Sequence, residues 1–150
     1  MEVSVEVPID LVWWAWTETE RVIKWFAPAA NIVPMEGGAF ELFFDPSEHT
    51  RMSTIGCVIT DIESRERLAF TWKGPDQFAK LMNEPVPATS VEVTFHKEKS
   101  STRVQIEHGG WGDGNHWNEA WEWHFKAWEE VLQRLASGLE SGKGLLCRPP

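Results

Sequence analysis

Three histidines, His108, His116 and His124, follow one another at intervals of eight residues in the C-terminal part of the chain. Imidazoles are common metal ligands and the usual general acids and bases near neutral pH, so a metal centre and an acid–base pair are the first chemistries to weigh. Spacing counts against the metal. His116 and His124 fall on one predicted helix, where eight residues at about 1.5 Å each put roughly 12 Å between them, too far for one ion to bind both. No metal and no cofactor is expected. His108 and His124 suit polar handles in an apolar pocket, or hydrogen-bonded core histidines, and His116 suits a helix end. Glu41 and Asp45 flank the apolar run Gly38–Phe44, and a carboxylate beside a buried histidine could serve as acid or base. Strand parity sets Glu41 opposite Phe40, Leu42 and Phe44, which turns it to solvent. Gly109, Gly110, Gly112 and Gly114 around Trp111 suggest a phosphate cradle before a helix. Their spacing matches neither nucleotide fingerprint, and no Lys followed by Ser or Thr comes after them, so a strand-to-helix hinge is the better reading. No catalytic residue is assigned.

The helix that carries His116 and His124 is predicted from Asp113 or Asn115, either of which can cap it, to about Ser137, ahead of Gly138. Trp117, Trp121, His124, Trp128, Val131 and Leu135 make one stripe along it. Glu122, Lys126, Glu130 and Arg134 make a charged opposite face with Glu-to-basic pairs one turn apart, and Trp123 sits with that polar side. Upstream, Val3, Val5 and Val7 alternate with polar residues as a half-buried strand does. Two short helices follow between Ile9 and Ala27, with a break at Thr17–Glu20, where Thr17 and Glu20 could form a capping box. Strands are then expected over Asn31–Met35, Gly38–Phe44, Met52–Glu63, Arg67–Lys73, Thr89–Lys97 and Thr102–His108, with tight connections that make neighbours antiparallel. Gly74–Ala88 is long for a loop and holds Phe78, Leu81 and Met82 among three prolines, which marks a candidate lid. Residues 1–137 read as one domain and 138–150 as a flexible tail.

This order is α+β: a curved antiparallel sheet of about seven strands needs a cover, and the last helix supplies it. Sheet and helix diverge at one end, which leaves a pocket. Its expected wall is Trp117, Trp121, His124 and Trp128 from the helix, Phe70, Trp72 and His108 from strands, and Phe78 and Met82 from the lid. The expected occupant is a small or medium hydrophobic molecule, held without catalysis. Flat aromatic or cationic ligands suit tryptophan faces, although aromatic residues at helical spacing equally well build plain core. Trp13, Trp14 and Trp16 crowd one short helix, and with Trp123 they suggest a surface patch for a homodimer or protein partner.

Composition narrows the partners. Fourteen basic residues against 23 acidic ones give a net charge of −9 with no basic run, so nucleic acid and anionic membrane are poor partners. The N-terminus lacks the features of a signal peptide and no stretch is long enough to span a bilayer, so a cytoplasmic location is expected. Cys57 and Cys147 are read as free thiols. Ten Trp and eight Phe, with no Tyr, mean an interior built from large rings.

Four segments carry a resemblance: Trp16-Thr17-Glu18-Thr19-Glu20-Arg21-Val22-Ile23-Lys24-Trp25-Phe26-Ala27-Pro28, Gly37-Gly38-Ala39-Phe40-Glu41-Leu42, Leu68-Ala69-Phe70-Thr71-Trp72 and His108-Gly109-Gly110-Trp111-Gly112. In this order, over roughly Glu2 to Leu135, they resemble the family of activator of heat-shock protein 90 ATPase homologues, within the START-like or SRPBCC superfamily. The resemblance implies the helix-grip fold and, for the superfamily, a cavity for lipids, polyketides, hormones or other hydrophobic small molecules. Some members of the superfamily are cyclases or hydrolases, which here would require His108 and His124 to converge inside the cavity. The co-chaperone that names the family carries this domain after another with no counterpart here, so its activity is not expected to transfer; a protein-interaction module is the alternative.

Overall fold

The computed structural model describes all 150 residues. β1 (Glu2–Val5) leads into α1 (Ile9–Thr17) and α2 (Thr19–Val22), followed by β2 (Ala29–Ile32), β3 (Phe40–Phe43), β4 (Ile59–Glu63) and β5 (Arg67–Trp72). After α3 (Ala79–Met82) come β6 (Thr89–Lys97), β7 (Thr102–Gly109) and α4 (Asn115–Glu140). Five strands pair in the order β1-β7-β6-β5-β4, and β2 pairs with β3, all antiparallel. Isolated bridges at Ala39–Val58 and Phe43–Ser53, with Phe40 N–H donating to the Cys57 carbonyl at 2.9 Å, continue the sheet from β4 to β3. The result is a curved helix-grip sheet with α4 against its concave face.

Sequence pattern and structure part company at several places, four of them in how the elements form and pack; the side-chain cap expected for α4 at Asp113 or Asn115 is also missing, its N-cap being Gly114. Only Ile59–Glu63 of the expected strand Met52–Glu63 is regular. Thr54 displaces the ladder there: its hydroxyl accepts from Leu42 N–H at 2.9 Å and donates to the Phe40 carbonyl at 3.3 Å. No capping box forms at the helix break. Thr17 Oγ1 instead donates back to the Trp13 carbonyl at 2.8 Å, and Glu18 in extended conformation separates α1 from α2. The expected tryptophan patch on α1 is absent because Trp13 and Trp16 point inward, against Phe95 and Trp25 at ring separations of 5.2 and 4.8 Å. Trp14 is half-buried under the guanidinium groups of Arg21 and Arg65.

The fourth difference is the C-terminus. α4 runs through Gly138 to Glu140, and a 3-10 turn at Leu145–Cys147 folds back onto it with Leu146 buried. Gly138 does not end the helix; it makes room, since a Cβ there would lie 2.9 Å from Leu146 Cδ1. Arg21 Nη1 donates to the Leu145 carbonyl at 2.9 Å, and the Cys147 thiol donates to the Gly138 and Leu139 carbonyls at 3.3 Å. The segment expected to be loose is therefore docked. Leu146→Ala should cost roughly 2–5 kcal/mol, the range for truncating a buried leucine. Urea denaturation checks this: an unchanged unfolding free energy would mean that the docked turn contributes nothing.

Candidate functional site

Alternation along β5 turns Leu68, Phe70 and Trp72 inward, and Trp72 ends the strand facing α4. Its indole N–H donates to His124 Nε2 at 3.1 Å. An indole nitrogen can only donate, so His124 Nε2 is the acceptor and Nδ1 carries the proton; Nδ1–H donates to the Ala120 carbonyl at 2.7 Å. A second pair runs the other way, from helix to sheet. Trp128 on α4 donates its indole N–H to His108 Nδ1 on β7 at 3.1 Å, and His108 Nε2–H donates to Thr89 Oγ1 on β6 at 2.9 Å. The two imidazole rings meet edge-on at 5.2 Å, and the two indoles lie 5.4 Å apart.

Burial drives both histidines toward the neutral form. His108 falls from 6.5 to about 3, with the neighbouring His124 adding to the effect. His124 is also lowered by burial, opposed by the Ala120 carbonyl that accepts its proton. Every ring nitrogen of the pair already has a partner. Each histidine keeps one N–H and one lone pair, and both are engaged within the protein, so in this arrangement neither is free for acid–base chemistry. No group of three or more His, Cys, Asp or Glu side chains is placed to hold a metal ion. Glu41 accepts from Asn31 Nδ2 and Gly56 N–H, and Asp45 accepts from Ser47, whose hydrogen bonds hold its carboxyl below the usual range. Both carboxylates shape turns.

Beside this aromatic knot lies a cavity of about 260 Å³. Phe26, Trp72, Trp128 and Val131 form its floor, Trp123 and Ala127 one side, and Phe44 and Met52 the other. Ser53, Lys73, Glu130 and Arg134 stand at its rim. The Phe44–Met52 side is a loop that holds itself: Ser47 and Thr50 bond back to Asp45 and Glu48, Phe44 N–H donates to the Met52 carbonyl, and Met52 N–H donates to Asp76 Oδ1.

Of the expected wall, Trp72, His124 and Trp128 border this space. Phe70 does not, being stacked on Phe40 at 3.8 Å in the core. His108 lies behind Trp128, beside a void of only about 20 Å³. Trp117 packs edge-on against Trp111 at the start of α4. Trp121 is 46% exposed and stacks on Phe125. The predicted stripe holds from His124 through Trp128 and Val131 to Leu135; only in the first turns does the buried line pass through the small Ala120 and leave Trp121 to one side. The lid is also not a lid. Phe78 and Met82 are buried, the Met82 sulfur lies where a Cβ on Gly74 would clash, and Asn83 clamps Gly74 by two hydrogen bonds at 2.8 and 3.0 Å. Gly74–Ala88 seals the first turns of α4 and borders the cavity only through Gly74 and Pro75. Trp123, expected on the polar side, forms a wall. The signal for it was the run Trp123, Ala127, Glu130, Arg134, a second stripe at helical spacing beside the core stripe.

The family described as Activator of Hsp90 ATPase homolog 1-like protein matches residues 6–140, from the end of β1 through α4. The chain belongs to that family. Its match encloses the knot and the whole cavity wall, and stops at the residue where α4 ends. No curated protein matches the chain. Among solved structures, this family member is similar to the Aha1 dimer from Colwellia psychrerythraea, at 17% identity and a TM-score of 0.72, over 96% of each chain. It is similar to an HSP90 activator from Plasmodium falciparum at 18% identity and a TM-score of 0.64, over 93% of this chain and 94% of that one. DynU16, from the dynemicin biosynthetic locus, matches at 24% identity and a TM-score of 0.70 over 95% of this chain. That match covers 47% of DynU16, so this chain spans about half of its length. At these identities the likeness shows the fold.

The buried histidines fix a pH dependence. His108 binds a proton at 6.5 when unfolded but only near pH 3 when folded. Stability is therefore lost as pH falls through that window, by about 1.4 kcal/mol per unit well below 6.5. His124 adds loss in the same direction over the part of the window nearest 6.5. Between pH 7 and pH 5 His108 alone should remove about 2 kcal/mol. His108→Gln should flatten the pH profile of the urea unfolding free energy by that amount, and an unchanged slope would contradict the neutral pair.

Proposed function

We propose that this chain binds one small, mainly apolar molecule in the cavity beside α4 and does not transform it. The observation that carries the reading is the combination of an open space of about 260 Å³ with a floor of Phe26, Trp72, Trp128 and Val131. Large rings placed around a vacancy forfeit contacts that close packing would supply. Apolar surface left this way gains roughly 25 cal/mol per Å² when an occupant covers it. The knot behind the floor supports binding without chemistry, since its histidines are neutral and fully bonded.

The similar structures do not choose between small molecules and proteins as partners. One comes from a biosynthetic locus, one is an activator of HSP90 and one is a dimer. A protein-interaction role has one observation behind it here, the stacked and exposed Trp121–Phe125 pair on the face of α4 away from the cavity. The two readings respond to different substitutions. Ala127 is half-buried in the cavity side, so Ala127→Phe should fill the space. Native mass spectrometry on protein purified from its own host should show an added small molecule, absent from Ala127→Phe and retained by Trp121→Ser. Titration with 2-naphthol, read by tryptophan fluorescence, should lose at least tenfold in affinity in Ala127→Phe. Empty wild-type protein that also fails to bind 2-naphthol would sink the proposal, and self-association abolished by Trp121→Ser would then favour the interaction module.

A further inference from the structure

The buried floor of the cavity is chemically silent toward polar groups. Trp72 and Trp128 spend their N–H donors on His124 and His108, and His124 spends its own on Ala120. Any polar group on a ligand must therefore sit at the rim, since burying it unpaired would cost about 1–3 kcal/mol. Four side chains stand there, and they differ in readiness. Lys73 contributes mainly its stem, because its Nζ lies beside Gly56, 3.7 Å from where a Cβ on that residue would be. Ser53 Oγ is weakly engaged by Ile55 N–H at 3.4 Å. Glu130 makes no ion pair or side-chain hydrogen bond. Arg134 is held: its Nε–H donates to the Trp25 carbonyl at 3.0 Å, which sets the plane of the guanidinium. Its two terminal nitrogens have no protein acceptor, although Glu130 is one helical turn away on the same stripe.

A guanidinium fixed through Nε with its outer edge free is a ready fork for a planar oxyanion, and such charge-assisted pairs are roughly twice as strong as neutral ones. The rim carries one cationic head, that of Arg134, beside one carboxylate, Glu130, on a chain whose net charge is −9. The mouth of the cavity is thus less negative than the chain as a whole. The walls supply the other half of the description. Phe26 lies nearly parallel to Trp72 at 6.2 Å and edge-on to Trp128 at 5.5 Å, which presents an aromatic floor suited to stacked and edge-on rings. A dry apolar space of about 150 Å³ accepts benzene, so about 260 Å³ has room for a fused pair of rings.

Resting on the cavity reading above, we propose that the occupant is a small planar aromatic acid, its rings on Phe26, Trp72 and Trp128 and its carboxylate on the terminal nitrogens of Arg134. Glu130 then acts as a selector: its charge weakens the site for the acid and would favour an amine only if Arg134 were absent.

Three probes with one ring system and different heads test this: 2-naphthoate, 2-naphthylmethanol and 2-naphthylmethylammonium, titrated by tryptophan fluorescence at about 50 mM salt. 2-Naphthoate should bind at least tenfold more tightly than the alcohol, and the ammonium least tightly. Arg134→Gln should erase the advantage of the acid while leaving the alcohol's affinity within about twofold. Arg134→Lys should restore part of it. Glu130→Gln should tighten naphthoate binding by about threefold, a gain that damage to the fold would not produce. Should Arg134→Gln fail to fold by near-UV circular dichroism, the Glu130→Gln and Arg134→Lys results still decide. Equal affinity for acid and alcohol, or preference for the ammonium, overturns the acid proposal and leaves the cavity reading standing. Binding of none of the three by the wild-type protein overturns both.

Discussion

Two buried indole N–H groups must find acceptors, and the rest of this architecture follows from where they find them. Trp72 reaches from sheet to helix and Trp128 from helix to sheet, each ending on an imidazole. Leaving either donor unpaired in this interior would cost about 1–3 kcal/mol. Because the two bonds run in opposite directions, sliding or rotating α4 by one residue would break both. They fix the helix's register and its roll, and the roll decides which of its flanks meets the cavity. Ala120, His124 and Trp128 face the sheet; Trp123, Ala127 and Arg134 then border the cavity.

The same knot accounts for a site that is rich in histidine yet poor in reactivity. Each imidazole is held in a single tautomer by one partner that can only donate and another that accepts its proton. Burial makes protonation unfavourable, strongly for His108. Histidine here does the work of a shaped hydrogen-bond acceptor, a task that tyrosine or glutamine could share only with a different geometry. The chain has no Tyr, so apart from Arg21, buried over Trp14, polar side chains inside its aromatic interior are indole, imidazole and threonine. Thr54, Thr89 and Thr102 are buried and bonded in this way.

Much of the fold was legible in the sequence. Strand alternation in β1, β5, β6 and β7, the helix break near Thr17 and the long terminal helix all appear at or near their expected places. The family segments found their counterpart in the match over residues 6–140. The site was less legible, for a physical reason. A stripe read by size alone picks Trp121 over Ala120, because the two flank the line through His124, at about 60° and about 40° from it on a wheel of roughly 100° per residue, and periodicity admits either. Only the indole–imidazole bonds, made between residues 52 and 20 positions apart, select the roll. Gly138 misled in the same way: glycine after a helical run reads as a stop, and its use for close approach by Leu146 is invisible until the chain has folded back. Proline-rich Gly74–Ala88 read as a lid because its tie, the Asn83 clamp on Gly74, is a side-chain match that composition does not display.

The cavity has two kinds of wall. Helix and sheet supply one, and those residues also hold the domain together. The other is the loop from Phe44 to Met52, whose hydrogen bonds close mostly on itself. Substitutions in the first wall would be tested by folding before they could be tested by binding. The loop is under no such double judgement. Descendants of this chain could therefore drift toward new occupants one loop residue at a time, with the fold as a constant inheritance and the loop as the part free to vary.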